Sequence, residues 1–344
     1  MLTSPIPLGR PSFLDALRCV DLDRLDAVVT VLGVPFTTPH DLASSRAPAS
    51  AAPAALREQS RRYTGQTCHH DFDLGGPLFG GRRIRLVDAG DVYAVPGCYA
   101  DNAQRAVTAL EAVVQRGGLP VVLGGDRAAA APLVRVLAAR GPVGFVHLGA
   151  ELDWRDEVEG ALDAAPSTMR RAAELAGVTA MMQVGLRGSG NARPADVEDA
   201  RRGGSVLVRA EEVHEAGVST VLRRLPSAPC YVLCVDAAAL DPAVAPGVET
   251  PAFGGLTYFE VTNLLRGIAA RGPVAGLALT GVVPDRDLHD MTSLLGARLI
   301  LTLIGALAHA GRLGTTDGAR AVTAGGIRPA VPKARVVATA GARQ

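Results

Sequence analysis

The sequence predicts an α/β fold built on one mainly parallel sheet of about eight strands. Three observations predict it. Short runs rich in Val, Leu and Ile alternate along the chain with segments of helical period. The runs are apolar throughout instead of alternating, as strands buried on both faces must be. Polar clusters follow directly after three of the runs, where ligand sites gather in sheets of this kind.

In chain order, the predicted strands are 27–32, 84–87, 121–123, 143–148, 181–184, 206–208, 231–235 and 274–279. The first long helix is predicted over 101–116, where Ala106, Val107, Leu110, Val113 and Val114 recur at helical spacing. Asp101 is its expected N-cap and Gly117 its expected stop. Further helices are predicted over 132–139, 167–176, 194–201, 257–270 and 291–309. Residues 37–54, rich in Ala, Ser and Pro, are expected to run over the surface. The expected organisation is a single domain over 1–314, then a tail over 315–344 with five basic residues and one acid.

Composition narrows the function classes. The 35 basic and 34 acidic residues leave a formal charge of +1, which gives no field for nucleic acid or an anionic membrane. Lys333 is the only lysine, a bias that reflects genome composition together with the abundant alanine. Cys19, Cys68, Cys98, Cys230 and Cys234 are odd in number and form no CxxC pair, which points to a reducing compartment. No secretion signal is legible, and the apolar run 294–311 carries Arg298 and reads as a core helix. The expectation is a soluble, cytoplasmic protein.

The three polar clusters are 124–127, 149–153 and 236–241. Together they could bring Asp126, Arg127, Glu151, Asp153, Asp236 and Asp241 around one crevice. Any single acid among them reads as a loop cap or surface ion pair. Their convergence at three strand ends is what suggests a site. His147 reads as a core histidine bonded to backbone, and Trp154 either lines the pocket mouth or packs under a loop. Asp241, before Pro242, is expected to bond the amides of its own turn, and Asp126 to support Arg127.

Several segments resemble the ureohydrolases, the arginase and agmatinase family. They are "VLGVPF" (31–36), "LREQSRRY" (56–63), "VDAGDV" (87–92), "VVLGGDR" (121–127), "FVHLGAELD" (145–153) and "LCVDAAALDPAVAPGVETPAFGGLTYFE" (233–260). The last is long, ordered and specific. The resemblance implies a three-layer α/β/α sandwich, a homo-oligomer (commonly a trimer or hexamer), and hydrolysis of a guanidinium carbon by hydroxide held between two manganese ions. It also implies ligand positions, and most are changed here. The family's His after Gly-Gly-Asp is Arg127. Its Asp-Ala-His-x-Asp is Gly149, Ala150, Glu151, Leu152 and Asp153. Of its next Asp pair, the first is Asp236 and the second Ala238. The guanidinium-binding Glu matches Gly281, and the loop near 165–171 lacks the family's His.

Two arrangements of the remaining charges are open. In one, no cofactor is expected: Arg127 lies in the metal position and bridges Asp153 and Asp236, with the residual charge solvated or Glu151 protonated. In the other, a single divalent cation such as manganese binds Glu151, Asp153 and Asp236 while Arg127 points away. Three functions follow: a repurposed, metal-independent enzyme acting on a small molecule; a non-catalytic paralogue or assembly partner of an active ureohydrolase; or a weak mononuclear metallohydrolase.

Overall fold

The computed structural model of the chain describes residues 2–38 and 48–314. The predicted tail and part of the predicted 37–54 excursion lie outside the described residues. The strands are β1 (Thr3–Ser4), β2 (Leu17–Arg18), β3 (Val29–Val34), β4 (His70–Asp71), β5 (Gly76–Pro77), β6 (Leu86–Val92), β7 (Leu119–Gly124), β8 (Val143–Leu148), β9 (Val178–Leu186), β10 (Ser205–Arg209), β11 (Tyr231–Asp236) and β12 (Val274–Thr280). The helices are α1 (Ala52–Ser60), α2 (Tyr99–Gln115), α3 (Ala131–Ala138), α4 (Thr168–Ala173), α5 (Pro194–Arg202), α6 (Ala210–Ala216), α7 (Val218–Arg223), α8 (Tyr258–Arg271) and α9 (Met291–His309).

One ten-stranded sheet carries the fold, in the order β1-β6-β3-β7-β12-β11-β8-β9-β10, with β2 also on β6. Nine of these strands run parallel: the eight from β6 through β10 in that order, each overlapping a predicted apolar run, and the two-residue β2 beside β6. Among the described strands of this sheet, only β1 is antiparallel. Helices cover both faces. Side chains of α1, α6, α7, α8 and α9 share one core with the sheet, and those of α2, α3, α4 and α5 share the other. Three layers result, with neighbouring strands giving non-polar side chains to both cores.

Local signals set most of the element ends. Thr257 caps α8 in a reciprocal box: its hydroxyl accepts from the Glu260 N–H at 3.2 Å, and the Glu260 carboxylate accepts from the Thr257 N–H at 2.8 Å. Thr257→Ala is expected to lower stability by about 1 kcal/mol, readable as a fall in the urea midpoint at unchanged slope. Gly117 ends α2 at φ 82°, as expected. Asp101, by contrast, lies inside the first turn of α2 instead of capping it. The helix starts earlier because the Asn102 amide bonds both the N–H and the C=O of Val95 at 2.9 Å, closing the approach. The 19-residue α9 is long and apolar enough to cross a bilayer, and it is mostly buried against α1, α8 and β12.

Candidate functional site

The chain crosses the middle of the sheet between β7 and β8, and β12 and β11 later fill the gap. Such a reversal of strand order opens a crevice at the carboxyl ends. Arg127 follows β7, Glu151 and Asp153 follow β8, Asp236 ends β11, and Gly281 follows β12. The structure therefore brings the predicted acids and the arginine to one place.

Arg127 reaches across the two intervening strands. Its Nη2 donates to Glu151 Oε2 at 2.7 Å, and its Nε stands 2.8 Å from Asp153 Oδ2 as an ion pair. The second contact is too poorly aligned to be a hydrogen bond, so neither Asp153 oxygen has a hydrogen-bond partner among the described residues. The expected bridge to Asp236 is not made. Asp236 Oδ1 instead accepts from the Ala238 N–H at 2.7 Å, closing its own turn, while its buried Oδ2 is unpartnered among the described residues. Gly281 keeps the path open: it sits at φ 78°, and a Cβ there would lie 2.3 Å from Asp236 Oδ1.

Burial dominates the electrostatics. It pushes the Asp153 carboxyl up to about 7, against the opposing pull of Arg127, with Glu151 and Asp236 adding to the upward shift. Burial likewise raises Asp236, and Arg127 opposes it. Burial works to deprotonate Arg127, but Asp153, Glu151 and Asp236 outweigh it and hold the guanidinium charged. The upward shift at Asp153 follows from its place, since its side chain is only 1% exposed.

The other predicted residues divide. Asp241 bonds the Ala243 and Gly255 N–H groups at 3.0 Å, as expected of a turn acid. Asp126 makes no direct bond to Arg127. Its Oδ2 takes both the N–H and the hydroxyl of Thr38 at 2.7 Å, and its Oδ1 takes the Ala128 N–H at 3.0 Å, so it ties the loop after β3 to the end of β7. Trp154 is 5% exposed and belongs to the core beside α4 and α5, not to the pocket mouth. His147 is fully buried but bonds no backbone: both ring nitrogens lack a partner among the described residues. Burial and then Arg127 lower its pKa to about 3, so the ring is neutral. It packs where a side chain on Gly149 would go, its ring atoms 2.3 and 2.4 Å from that Cβ position.

Two arginines were not foreseen. Arg187, just past β9, donates to the carbonyls of Gly185, Ala238, Ala239, Leu240 and Ala252 at 2.8–3.2 Å. It fastens the loop after β11, which forms one wall of the crevice. The strand-end rule that singled out the acids applies equally to Arg187. Arg57 of α1 is buried against Asp88 and Asp91 of β6. With Arg127 seated, the crevice cavity between Asp126, Arg127, Asp236 and Gly281 measures about 10 Å³, the space of about one water.

Comparison with known proteins places this architecture. The arginase family model matches residues 27–305. A guanidinopropionase from Pseudomonas aeruginosa is 32% identical over 314 residues, 88% of this chain and 92% of that protein. A mitochondrial agmatinase from Gallus gallus is 30% identical over 308 residues, 87% and 86% of the two chains. The structure of proclavaminate amidino hydrolase from Streptomyces clavuligerus superposes with a TM-score of 0.73 at 27% identity, covering 89% of this chain and all of that one. A parallel sheet of this order, a crevice at its central strand ends, and a match along nearly the whole chain converge on one assignment: the chain belongs to the arginase family.

Proposed function

We propose that the chain is a metal-independent member of its family that acts on a small molecule, with Arg127 as the built-in cation of the crevice. The observation that carries this reading is the seating of Arg127 between Glu151 and Asp153. A divalent ion between those carboxylates would stand against a guanidinium already there, and like charges at such distances repel strongly. Gly149 and Ala238, at two of the family's ligand positions, have no side-chain donor atom. Among the described residues, no three His, Cys, Asp or Glu side chains are grouped to hold a metal. The residues present do not fit a two-manganese centre.

Relatives named guanidinopropionase, guanidinobutyrase and proclavaminate amidinohydrolase support a small guanidino- or amidino-type molecule as the ancestral ligand class. In the proposed site, Asp153 and Glu151 move a proton, and Arg127 stabilises negative charge that develops on the substrate. A homo-oligomer, a trimer or hexamer, belongs to the same proposal. The protein as purified is expected to hold well below one metal ion per chain, and to release no urea from agmatine or 3-guanidinopropionate with manganese added. Near-equimolar manganese that survives a mild chelator and disappears in Asp153→Ala would overturn the reading.

The 10 Å³ cavity favours a second reading, a non-catalytic assembly partner of an active ureohydrolase. Native mass spectrometry of the protein isolated from its own cells separates the two. A second arginase-family subunit supports the assembly role, and a homo-oligomer alone removes it.

A further inference from the structure

A cavity far larger than that of the crevice, about 230 Å³, lies where the 63–78 segment crosses α9, and it shares no lining residue with the crevice. We propose that this cavity is a second ligand site, built for a small organic cation with a short apolar stem.

Charge is the first argument. Arg298 grips both oxygens of Asp71, Nη1 to Oδ2 at 2.5 Å and Nη2 to Oδ1 at 2.8 Å, and Nη2 also reaches Asp73 Oδ2 at 2.8 Å. The Tyr258 hydroxyl donates to that same Asp73 oxygen at 2.5 Å. Burial pushes both carboxyls up, but Arg298 and backbone N–H bonds on Asp71, and Tyr258 and Arg298 bonds on Asp73, outweigh it and hold both below the usual carboxylate range. Two carboxylates against one guanidinium leave these three lining groups with one negative charge in excess. An unpaired charge beside a partly enclosed space is best matched by a ligand cation.

Aromatic surface is the second argument. The chain turns directly after β4, with Asp71 Oδ1 accepting from the Asp73 and Leu74 N–H groups at 3.0 and 3.2 Å, and this turn brings His70, Asp71, Phe72 and Asp73 to line the same cavity. Phe72 is 92% exposed, a large apolar ring in water with only the His70 ring edge-on at 4.9 Å. Tyr63 lines the same cavity, with the Arg298 guanidinium 6.0 Å from its ring centre. Rings facing a space with excess negative charge attract a cationic head and shelter its alkyl stem. Buried Leu78 adds further apolar lining. The volume lies below the usual range for drug-sized ligands, roughly 300–1,000 Å³, which fits a compact molecule.

Calorimetry on the full chain tests the site, with n-butylguanidinium as probe and neutral n-butylurea, its near-isostere, as control. The expected result is saturable one-to-one binding of the cation with no binding of the urea. Phe72→Ala is expected to weaken it at least tenfold; its ring is exposed, so this variant leaves the fold intact. Asp73→Asn is expected to weaken it similarly, with circular dichroism confirming its fold. No binding at millimolar probe, equal binding of butylurea, or undiminished binding in Phe72→Ala would each overturn the assignment.

Discussion

Arg57→Ala is expected to remove about 3–5 kcal/mol of stability. Arg57 is 2% exposed and Asp88 is fully buried. The guanidinium holds Asp88 with two bonds, Nε to Oδ2 at 2.8 Å and Nη2 to Oδ1 at 3.0 Å, and reaches Asp91 at 2.6 Å and the Gly90 carbonyl at 2.9 Å. Asp88 also accepts from the Phe13 and Gly90 N–H groups. Alanine leaves a buried carboxylate with amide partners and no counter-charge. It also releases α1 from β6 and the 13–15 turn from both. Arg57→Lys is expected to restore part of the loss only, because an ammonium cannot match the fork that spans both Asp88 oxygens. Urea unfolding measures both. A loss under about 1 kcal/mol for the alanine variant would mean that water or local movement relieves the charge.

Arg127→Ala is expected to cost a comparable amount, roughly 3–5 kcal/mol at alkaline pH, with a pH signature set by Asp153. Asp153 has a folded pKa raised to about 7, above its unfolded value. Its contribution to stability is therefore fully present below the unfolded pKa and is lost as pH rises through about 7. Removing the arginine removes the charge that opposes that rise, so the loss deepens and extends to higher pH. The deficit of the variant should be small near pH 5 and grow toward pH 8 and above. Millimolar guanidinium ion should narrow it by occupying the vacated place between Glu151 and Asp153, whereas the same concentration of sodium should not. A deficit independent of pH and of guanidinium would remove Arg127 from its role as brace.

The eight longer parallel strands, β6 through β10 in sheet order, were legible because burial on both faces leaves uninterrupted apolar runs. The two-residue strands β1, β2, β4 and β5 left no such trace. Helices α6 and α7 were missed because 210–223 is a short, charged stretch divided by Gly217 at φ 74°. The site was legible as a set of strand ends, but not as a set of bonds. Arg127 was expected on Asp153 and Asp236, and it chose Glu151 and Asp153. Asp236 meanwhile closes its own turn onto the Ala238 amide, and no residue spacing announces either choice. The Arg57–Asp88 pair joins two segments noticed separately, but partners 31 residues apart are paired by tertiary packing alone.

The packing of His147 against Gly149 ties together two positions that lie two residues apart. A side chain introduced at 149 would meet the tip of the imidazole, whose ring atoms stand 2.3 and 2.4 Å from its Cβ position, so the ring must turn aside to admit it. Shrinking 147 instead leaves a hole at a fully buried strand position. Substitutions at the two positions are therefore expected to depart from additivity, because both act on one shared space.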